Sequence, residues 1–383
     1  MTTDDLYMQK ALDLARAGIG LVSPNPAVGA VLIDKSGREV GCGTHTFEGV
    51  KHAEILALEQ AGQLARGGTL YLNLEPCSHR GRTGPCADAV VAAGVSRVVC
   101  SMQDPNPKVA GRGFQRLREA GIKVEVGLLE AEARKLNESF AKFITTGKPL
   151  VTLKAAMSLD GKIAPAPKMP TTRPITSKSE DHSAGNRWIT GEAAREHVQQ
   201  LRHQNDAILV GVGTVIADDP LLSDRNALPR RRNLLRVILD SSLRVPVESQ
   251  IFREVQDDIL VISSSPDREK QRAIEAKGVR VLQTATSVEG RLDFAGIFRT
   301  LGEMEITSVL VEGGSTVNAT VLASGEVDKV FLYYAPKILG AEAVPFLANT
   351  GGAWQMRCVD RIEFHRFGED FAIEGYLRDP YVV

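Results

Sequence analysis

The sequence lacks the features that would place a protein outside the cell or in a membrane. Its five cysteines, an odd number in 383 residues, argue against a disulfide framework and for a reducing compartment. No apolar run is long enough to span a bilayer, and the N-terminal segment lacks the basic and apolar regions of a signal peptide. A formal net charge of -1 gives no general attraction to nucleic acid or anionic membranes. These absences predict a cytoplasmic protein that binds neither membranes nor nucleic acid.

Length and composition fit a globular protein of two domains. A chain of 383 residues exceeds one ordinary domain, and a hydrophobic content of 43% is enough for packed cores. Residues 146–149 combine a helix stop, a glycine and a proline. We therefore predict domains at residues 1–146 and 147–383.

Helices and strands are predicted to alternate in both halves, as in α/β proteins. In the first half, the patterns predict helices at 4–17, 52–61, 85–93, 114–120 and 130–143, and strands at 28–33, 39–42, 69–74, 97–101 and 123–126. In the second half, they predict strands at 150–155, 207–210, 236–239, 259–262, 279–282, 308–311 and 329–334, and helices at 193–203, 266–277, 293–301 and 315–323. Residues 164–186 are interpreted as a mobile surface excursion, and the arginine run at 230–232 as a solvated loop.

One histidine and two cysteines occur in an order that can bind zinc. Glu54 follows His52 by two residues, and Cys77 and Cys86 each follow a proline. Zinc binds neutral imidazole and thiolate, and a catalytic zinc site keeps one of its four positions for water. The order is typical of zinc-dependent nucleobase deaminases, although eight residues separate the cysteines here instead of two. Taken singly, His52 could be an ordinary helix histidine and the cysteines buried packing residues.

Glu54 favours an enzyme over a purely structural metal site. Zinc lowers the pKa of a bound water to about 7, so hydroxide is available at neutral pH. A glutamate beside the metal, itself not a ligand, would accept the water's proton and pass it to the departing amine. We therefore predict His52, Cys77 and Cys86 as metal ligands and Glu54 as the catalytic residue.

Short motifs in both halves occur in the order found in one known family. In the first half they are Asn25-Pro26, His52-Ala-Glu54, Leu74-Glu-Pro-Cys-Ser-His79, Asp104-Pro-Asn-Pro107 and Gly111-Arg-Gly113. In the second half they are Lys154, Ser158-Leu-Asp-Gly161, Trp188-Ile-Thr190, Gly213-Thr214, Ala217-Asp-Asp-Pro220 and Val311-Glu-Gly-Gly314. Over essentially its whole length, the chain resembles the bifunctional deaminase/reductase family of riboflavin biosynthesis. The resemblance implies a cytidine-deaminase-like α/β/α sandwich followed by a dihydrofolate-reductase-like α/β domain.

The resemblance also implies two consecutive reactions with one zinc ion per chain and NADPH as cofactors. The first hydrolyses an amino group from a diamino-pyrimidinone ribosylamine phosphate. The second reduces the ribosyl side chain to ribityl, with a ring-opened imine of the sugar accepting hydride at the former anomeric carbon. The protein would supply position, electrostatics and a proton source. A small phosphorylated pyrimidine is thus the expected partner, and we expect a homo-oligomer, either a dimer or a tetramer.

Contacts to particular residues follow from the same resemblance. Deaminase substrate contacts are implied for Asn25, His45, His79 and Arg82, the last at a position where family members often carry lysine. Reductase cofactor contacts are implied for Ala156, Trp188, Thr214, Asp218, Ser241, Gly314, Ser315, Thr316, Val317, Asn318, Ala319 and Thr320. Reductase substrate contacts are implied for Lys154, Asn186, Arg202, Leu222, Arg225 and Glu312, with Asp160 close by. Asn186 stands where the family usually has a serine.

The residue types are compatible with these roles, although several have simpler explanations. No Gly-x-Gly-x-x-Gly fingerprint indicates a Rossmann fold, but glycine turns at 211–214 and 312–316 follow buried strands and allow close backbone approach to phosphates. Arg202 and Arg225 suit phosphate binding. His45 could instead be a surface residue at a strand end, Trp188 a core residue and Asp218 a cap.

The sequence disfavours two functions of other classes. A tRNA-type base deaminase fused to an unrelated domain is disfavoured by the near-neutral charge, the cysteine spacing and the second-half motifs. A non-catalytic, zinc-stabilised nucleotide-binding module is disfavoured by Glu54 and by the open coordination position. The excursion at 165–185 is longer than usual for the family, and we hypothesise that it is a flexible flap near the reductase site.

Overall fold

The computed structural model describes residues 2–79, 84–166, 188–285, 292–351 and 354–382. Within them the helices are α1 (Thr3–Ala17), α2 (Ala53–Ala61), α3 (Cys86–Ala92), α4 (Arg112–Glu119), α5 (Glu130–Leu136), α6 (Glu138–Thr146), α7 (Glu192–Gln204), α8 (Val212–Asp218), α9 (Arg268–Glu275), α10 (Phe294–Glu303) and α11 (Ser315–Ala323). The strands are β1 (Gly29–Ile33), β2 (Glu39–Thr44), β3 (Thr69–Leu72), β4 (Arg97–Cys100), β5 (Lys123–Val126), β6 (Leu150–Ser158), β7 (Lys162–Ala164), β8 (Ala207–Gly211), β9 (Leu235–Leu239), β10 (Ile259–Ser263), β11 (Arg280–Gln283), β12 (Ser308–Val311), β13 (Lys329–Ala335), β14 (Val344–Pro345), β15 (Asp360–Phe367) and β16 (Asp370–Tyr376). Short 3-10 helices lie at Gly62–Ala65 and Gln250–Phe252.

The N-terminal domain is built on a sheet with the strand order β2-β1-β3-β4-β5. β1 pairs antiparallel with β2 and β3, and β3, β4 and β5 run parallel. Met8 of α1 packs with Val31 on one face of the sheet. Ala57 of α2 and Leu117 of α4 pack with Leu32 on the other face. Because helices cover both faces, β1 is apolar along its whole length, as expected for the central layer of an α/β/α sandwich.

The C-terminal domain is built on a longer sheet with the order β11-β10-β9-β8-β12-β6-β13-β16-β15. The strands from β11 to β13 run parallel, and β16 and β15 continue the sheet antiparallel. β12 alternates between the two faces: Val309 and Val311 pack with Phe298 of α10, whereas Leu310 packs with Val198 of α7. The carboxyl ends of β9, β8, β12 and β6 therefore meet at one edge, where ligands bind in open α/β sheets.

Ion pairs join the two domains close to the connecting segment. α6 ends at Thr146, Gly147 adopts a left-handed φ of 70° that closes the helix, and β6 begins at Leu150. Lys329 of β13 contacts Glu138 of α6 with its Nζ 2.6 Å from Oε1. This pair is buried, so its loss would cost more than the loss of an exposed pair.

Several elements differ from the sequence predictions. The helix predicted at 130–143 is two helices, because the buried Asn137 leaves the helical path and its Oδ1 accepts a hydrogen bond from Ala27 N at 2.8 Å. His52, predicted in the first turn of a helix, is the residue just before α2. Elements α8, β7, β14, β15 and β16 were not predicted. The three cysteines outside the zinc-ligand set, Cys42, Cys100 and Cys358, are predicted from the sequence to be packing residues. Cys100 is fully buried and Cys42 is partly buried, whereas the prediction is wrong for Cys358, which is exposed.

Some predictions fall outside the described residues. These concern Arg82, Asn186 and the greater part of the excursion at 164–186. None of the described helices combines the length and the apolar character that a membrane span would need.

Candidate active sites

Three predicted metal ligands lie together on the face of the N-terminal sheet that α2 and α4 cover. His52 precedes α2, Cys86 begins α3, and Cys77 lies in the loop after β3. One ligand atom from each lies within 4.8 Å of the others, with His52 Nδ1 3.1 Å from Cys86 Sγ and 3.6 Å from Cys77 Sγ. The start of α3 also places the Cys86 N–H 3.4 Å from Cys77 Sγ, where it donates a hydrogen bond. Thiolate charge is favoured at such a helix N-terminus.

The chemistry of this donor set fits zinc. Hydrogen bonding from the Cys86 side chain, and then from His52, lowers the pKa of the Cys77 thiol despite its burial. A thiol that ionises readily supplies the thiolate that metals bind. One imidazole and two sulfurs provide three of four tetrahedral positions, as in catalytic zinc sites that keep the fourth position for water.

Glu54 is placed to serve such a site. It is the second residue of α2 and only 3% exposed, and its carboxyl interacts with His52 and Cys86. Burial raises its pKa, and Oε2 has no hydrogen-bond partner among the described residues. A buried carboxylate oxygen without a partner is costly, so it indicates a group that is completed by a ligand.

Asn25 and His45 form a second wall of the same site. The His45 and His52 rings lie edge to face at 5.2 Å, and Asn25 Nδ2 lies 3.0 Å from His45 Nε2. His45 Nδ1 lies 3.0 Å from the Lys51 carbonyl, which can only accept, so Nδ1 carries a proton. Burial lowers the pKa of His45, which favours the neutral ring, so Nε2 accepts from the Asn25 amide. The amide oxygen of Asn25 is thereby oriented to accept from a ligand. At 4% exposure, His45 is not the surface residue considered as an alternative.

Glu75 was missed by the sequence analysis. Its carboxylate, 3% exposed, accepts four backbone N–H groups: Oε2 from Asp104 and Gly111, and Oε1 from Gly113 and Phe114, at 2.8–3.2 Å. It therefore fastens the zinc-ligand loop to the segment that begins α4. A buried carboxylate immediately before a Pro-Cys pair was the available signal.

The third predicted deaminase substrate contact among the described residues is not part of this wall. His79 is exposed, in the loop that leads toward residues 80–83, which lie outside the described residues. The position of Arg82 relative to the site therefore stays a prediction.

In the C-terminal domain, Glu312 joins two predicted substrate-binding cations at the end of β12. Arg202 donates from Nε to Oε1 at 2.7 Å and from Nη2 to Oε2 at 3.1 Å, and Lys154 Nζ lies 3.4 Å from Oε2. Burial opposes a charge on Glu312, but Arg202 and Lys154 outweigh it and lower its pKa to about 2. Glu312 is thus a carboxylate at neutral pH, and two cationic side chains around this one anion suit a phosphorylated ligand.

Two glycines beside this cluster lie very close to the Val317 side chain of α11. A Cβ on Gly211 would lie 2.6 Å from Val317, and one on Gly313 would lie 2.7 Å from the same side chain. Thr214 of α8 therefore approaches the Gly314 turn that begins α11. The hydroxyl of Ser315 is buried without a partner among the described residues. Helix N-termini and an unpaired hydroxyl at glycine turns fit the phosphates of a dinucleotide such as NADPH.

The remaining predicted cofactor contacts lie on several elements of the C-terminal domain. Ala156 lies on β6, Asp218 ends α8, and Ser241 follows β9. Trp188 is 62% exposed and stacks on the Arg195 guanidinium at 5.4 Å, so it is not a core residue. The remaining α11 residues divide into Asn318 and Ala319, which are buried, and Thr316, Val317 and Thr320, which are not.

The last predicted substrate contacts differ in accessibility. Arg225 is exposed, whereas Leu222 is buried with a left-handed φ of 54°. Asp160 accepts from Ser158 Oγ and from the Leu339 and Gly340 N–H groups, so it organises a loop rather than facing a ligand.

Another cluster has ligand-type side chains at metal-binding distance. It consists of Glu363, His365 and Glu374 on β15 and β16. Lys329 and Lys135 already contact Glu374 at 2.7 and 2.9 Å, so two ammonium groups stand where a cation would bind. The cluster is an ion-pair network at the domain junction.

Comparisons with known proteins cover both domains. Residues 1–102 match the family described as the cytidine and deoxycytidylate deaminase zinc-binding region, and residues 149–372 match the RibD C-terminal domain. The riboflavin biosynthesis protein RibD of Bacillus amyloliquefaciens is 40% identical over 98% of this chain and 97% of its own. That of Escherichia coli K12 is 42% identical over 89% of each chain.

Solved structures agree with the sequence relatives. Acinetobacter baumannii RibD superposes with a TM-score of 0.80 at 36% identity, covering 98% of both chains. The Thermotoga maritima diaminohydroxyphosphoribosylaminopyrimidine deaminase/5-amino-6-(5-phosphoribosylamino)uracil reductase gives 0.78 at 35% identity, again over 98% of both chains.

Proposed function

This chain belongs to the RibD family of riboflavin biosynthesis proteins, and from that membership we propose which of its residues carry each of two reactions. The family assignment confirms the fold class and the two activities expected from the motifs: a zinc-dependent deaminase, which is a hydrolase, and an NADPH-dependent reductase. The substrate is a small molecule, a phosphorylated pyrimidine of riboflavin biosynthesis.

For the deaminase, we propose His52, Cys77 and Cys86 as the zinc ligands. Zinc held there supplies a hydroxide nucleophile at neutral pH. Glu54 accepts the proton of the attacking water and donates it to the departing amine, a role that suits a carboxyl whose pKa is raised by burial. Asn25 and His45 orient the pyrimidine, with the Asn25 oxygen as acceptor, and His79 and Arg82 contact the phosphate end.

For the reductase, we propose that the substrate phosphate end binds Arg202 and Arg225, while Leu222 and Asn186 line the sugar path. NADPH supplies the hydride. Lys154 and Glu312 stand beside Arg202 as an ionised pair that orients the substrate. With the substrate placed there, the glycine turns at the starts of α8 and α11 are left for the cofactor.

We assign cofactor binding to residues on or after the neighbouring strands β9, β8, β12 and β6, and to Trp188, which precedes α7. They are Ala156, Trp188, Thr214, Asp218, Ser241 and residues 314–320. The buried Ser315 hydroxyl, which has no hydrogen-bond partner in the described part of the chain, supports this assignment, as do the close contacts at Gly211 and Gly313.

One observation carries the deaminase proposal: the buried Glu54 carboxylate, whose Oε2 has no hydrogen-bond partner among the described residues, lies beside one imidazole and two sulfurs. The test supplies the diamino-pyrimidinone phosphate with and without NADPH, before and after zinc chelation. Ammonia release without NADPH, lost on chelation and restored by zinc, is the expected result. NADPH oxidation with the deaminated substrate should survive chelation; its loss would contradict two independent sites.

The domain boundary, the cellular location and the oligomeric state complete the proposal. We propose that the domains divide at residues 146–147, supported by the end of α6 at Thr146. We propose a cytoplasmic location, which five free cysteines support. We propose a homodimer or homotetramer, supported by the edge strand β15, on which two large apolar side chains are exposed, Phe364 at 74% and Ile362 at 49%.

A further inference from the structure

The arginine run at 230–232 lies at the domain junction, so its interpretation as a solvated loop is wrong. The side chains of Arg230, Arg231 and Arg232 are only 12, 19 and 26% exposed. Arg230 is fixed to its own domain, because Nη1 donates to the Asp224 carboxylate at 3.0 Å and to the Arg202 carbonyl at 3.2 Å. The residue that follows is thereby held firmly at the surface of the reductase domain.

Arg231 reaches across the junction to two segments of the deaminase domain. Its backbone N–H donates to Gly20 O at 2.8 Å, and its Nη1 donates to Ser23 O at 2.8 Å. Its guanidinium stacks on the Phe47 ring at 3.5 Å. A guanidinium that both stacks and donates fixes its partners more strictly than a point charge does.

These two segments carry the Asn25–His45 pair of the deaminase site. Ser23 precedes Asn25 by two residues, and Phe47 follows His45 by two. The segments are also joined to each other, through the Phe47 N–H to Leu21 O at 3.0 Å and through Asn25 Nδ2 to His45 Nε2 at 3.0 Å. Arg231 therefore lies directly behind the pair that faces the zinc-ligand histidine.

The side chain of Ser23 is bound by the opposite domain. Arg232 Nη2 donates to Ser23 Oγ at 3.0 Å, and Ser23 Oγ donates to Asp206 at 2.7 Å. The neighbouring residues are anchored in the deaminase domain, where Val22 packs with Ala15 and the Ala27 N–H donates to Asn137. The reductase domain therefore contributes to the position of the stretch before Asn25 through Ser23.

We propose that Arg231 is a positioning residue for the deaminase, supplied by the reductase domain, which holds Asn25 and His45 in their substrate-binding arrangement. The inference rests on the proposed function, in which those two residues contact the pyrimidine. The deaminase is then expected to depend on the second domain of the same chain.

The test uses the full-length chain carrying Arg231→Ala. Three quantities are measured: ammonia release without NADPH, NADPH oxidation with the deaminated substrate, and bound zinc. Loss of a charge-assisted hydrogen bond should raise the deaminase KM about tenfold, with a smaller change in kcat. Zinc content and reductase KM should stay unchanged, because neither site loses a contact. Arg231→Lys keeps the charge but not the planar stack on Phe47, so its KM should be intermediate.

Glu363→Ala is the matched control at the same junction. It removes an interdomain ion pair from the reductase side, between Glu363 Oε2 and Lys135 Nζ at 2.6 Å. The deaminase KM of this control should match that of the unmodified chain. A KM for Arg231→Ala within about twofold of the unmodified chain, or an equal rise in Glu363→Ala, would overturn the proposal.

A double variant separates this inference from the function on which it rests. If Arg231 acts partly through Asn25 and partly through His45, combining Arg231→Ala with Asn25→Ala should raise the KM by clearly less than the product of the two single effects. Fully multiplicative effects would overturn the positioning role and leave the substrate contact of Asn25 intact. An unchanged KM for Asn25→Ala alone would instead refute the proposed substrate contact.

Discussion

Replacing Glu75 by alanine should damage the deaminase domain selectively. The Glu75 carboxylate is buried and accepts four backbone N–H groups from the segment between residues 104 and 114. Alanine would leave all four donors without their acceptor. The zinc-ligand loop would also lose its attachment to the start of α4.

The magnitude follows from the number of donors. A buried donor left unsatisfied costs about 1–3 kcal/mol, although water entering the vacated space offsets part of that cost. We expect the deaminase domain to lose about 4 kcal/mol of unfolding free energy, a large part of the roughly 5–15 kcal/mol typical of a domain. Glu75→Gln keeps one acceptor oxygen but turns an amide N–H₂ toward two donors, so it should lose about half as much.

The positions of the tryptophans allow the two domains to be followed separately. Both tryptophans, Trp188 and Trp354, lie in the C-terminal domain, so their fluorescence in urea reports on that domain. Circular dichroism and zinc release report on the N-terminal domain as well. For Glu75→Ala we expect an early circular dichroism transition and early zinc loss, with a much smaller shift in the fluorescence transition.

Two results would refute this reasoning. One is a zinc affinity and first unfolding transition that do not change in Glu75→Ala. The other is Glu75→Gln behaving as badly as Glu75→Ala, which would mean that the count of accepted hydrogen bonds does not set the cost.

Three other changes test separate parts of the account. Glu312→Gln removes the carboxylate charge between Arg202 and Lys154, so the KM of the reductase should rise about tenfold while ammonia release stays constant. An unchanged KM would contradict the placement of Glu312 in the substrate site. Hydrogen bonding from Arg97 lowers the pKa values of Asp4 and Glu125 from 3.8 and 4.5 to about 2. Their contribution to stability should therefore be full above pH 5 and be lost as the pH falls toward 2, and Arg97→Met should flatten this loss in acid unfolding curves. Phe364→Asp should shift the sedimentation of the chain toward the monomer with ammonia release retained, and an unchanged oligomer would exclude the β15 face as the interface.

The fold was largely predictable because both sheets are built from locally readable segments. Buried parallel strands such as β8 and β12 are short, continuous apolar runs, and their prediction was confirmed within a residue. The edge strand β15 was missed because it is exposed and alternates charged with apolar residues, and its neighbour β16 was missed because Asp370, Glu374 and Gly375 leave it no continuous apolar run. The break at Asn137 was also missed, since it results from a contact with Ala27, more than a hundred residues away.

The candidate sites, like the fold, were only partly predictable from the sequence. The zinc-ligand set could be proposed from residue order alone, since metal chemistry restricts ligands to a few residue types. The role of Arg231 could not be read, because a run of arginines has the same local appearance on a solvated loop and at a domain junction. What distinguishes the two cases is the partner surface around Gly20, Ser23 and Phe47, which only the folded chain brings near.

The most direct test of the account is Glu54→Gln, assayed in one preparation for bound zinc, ammonia release and NADPH oxidation. The account predicts full zinc occupancy, ammonia release reduced by about a thousandfold or more, and unchanged NADPH oxidation when the deaminated substrate is supplied. Ammonia release that persisted with zinc still bound would contradict the role of Glu54 as the proton carrier of the deaminase.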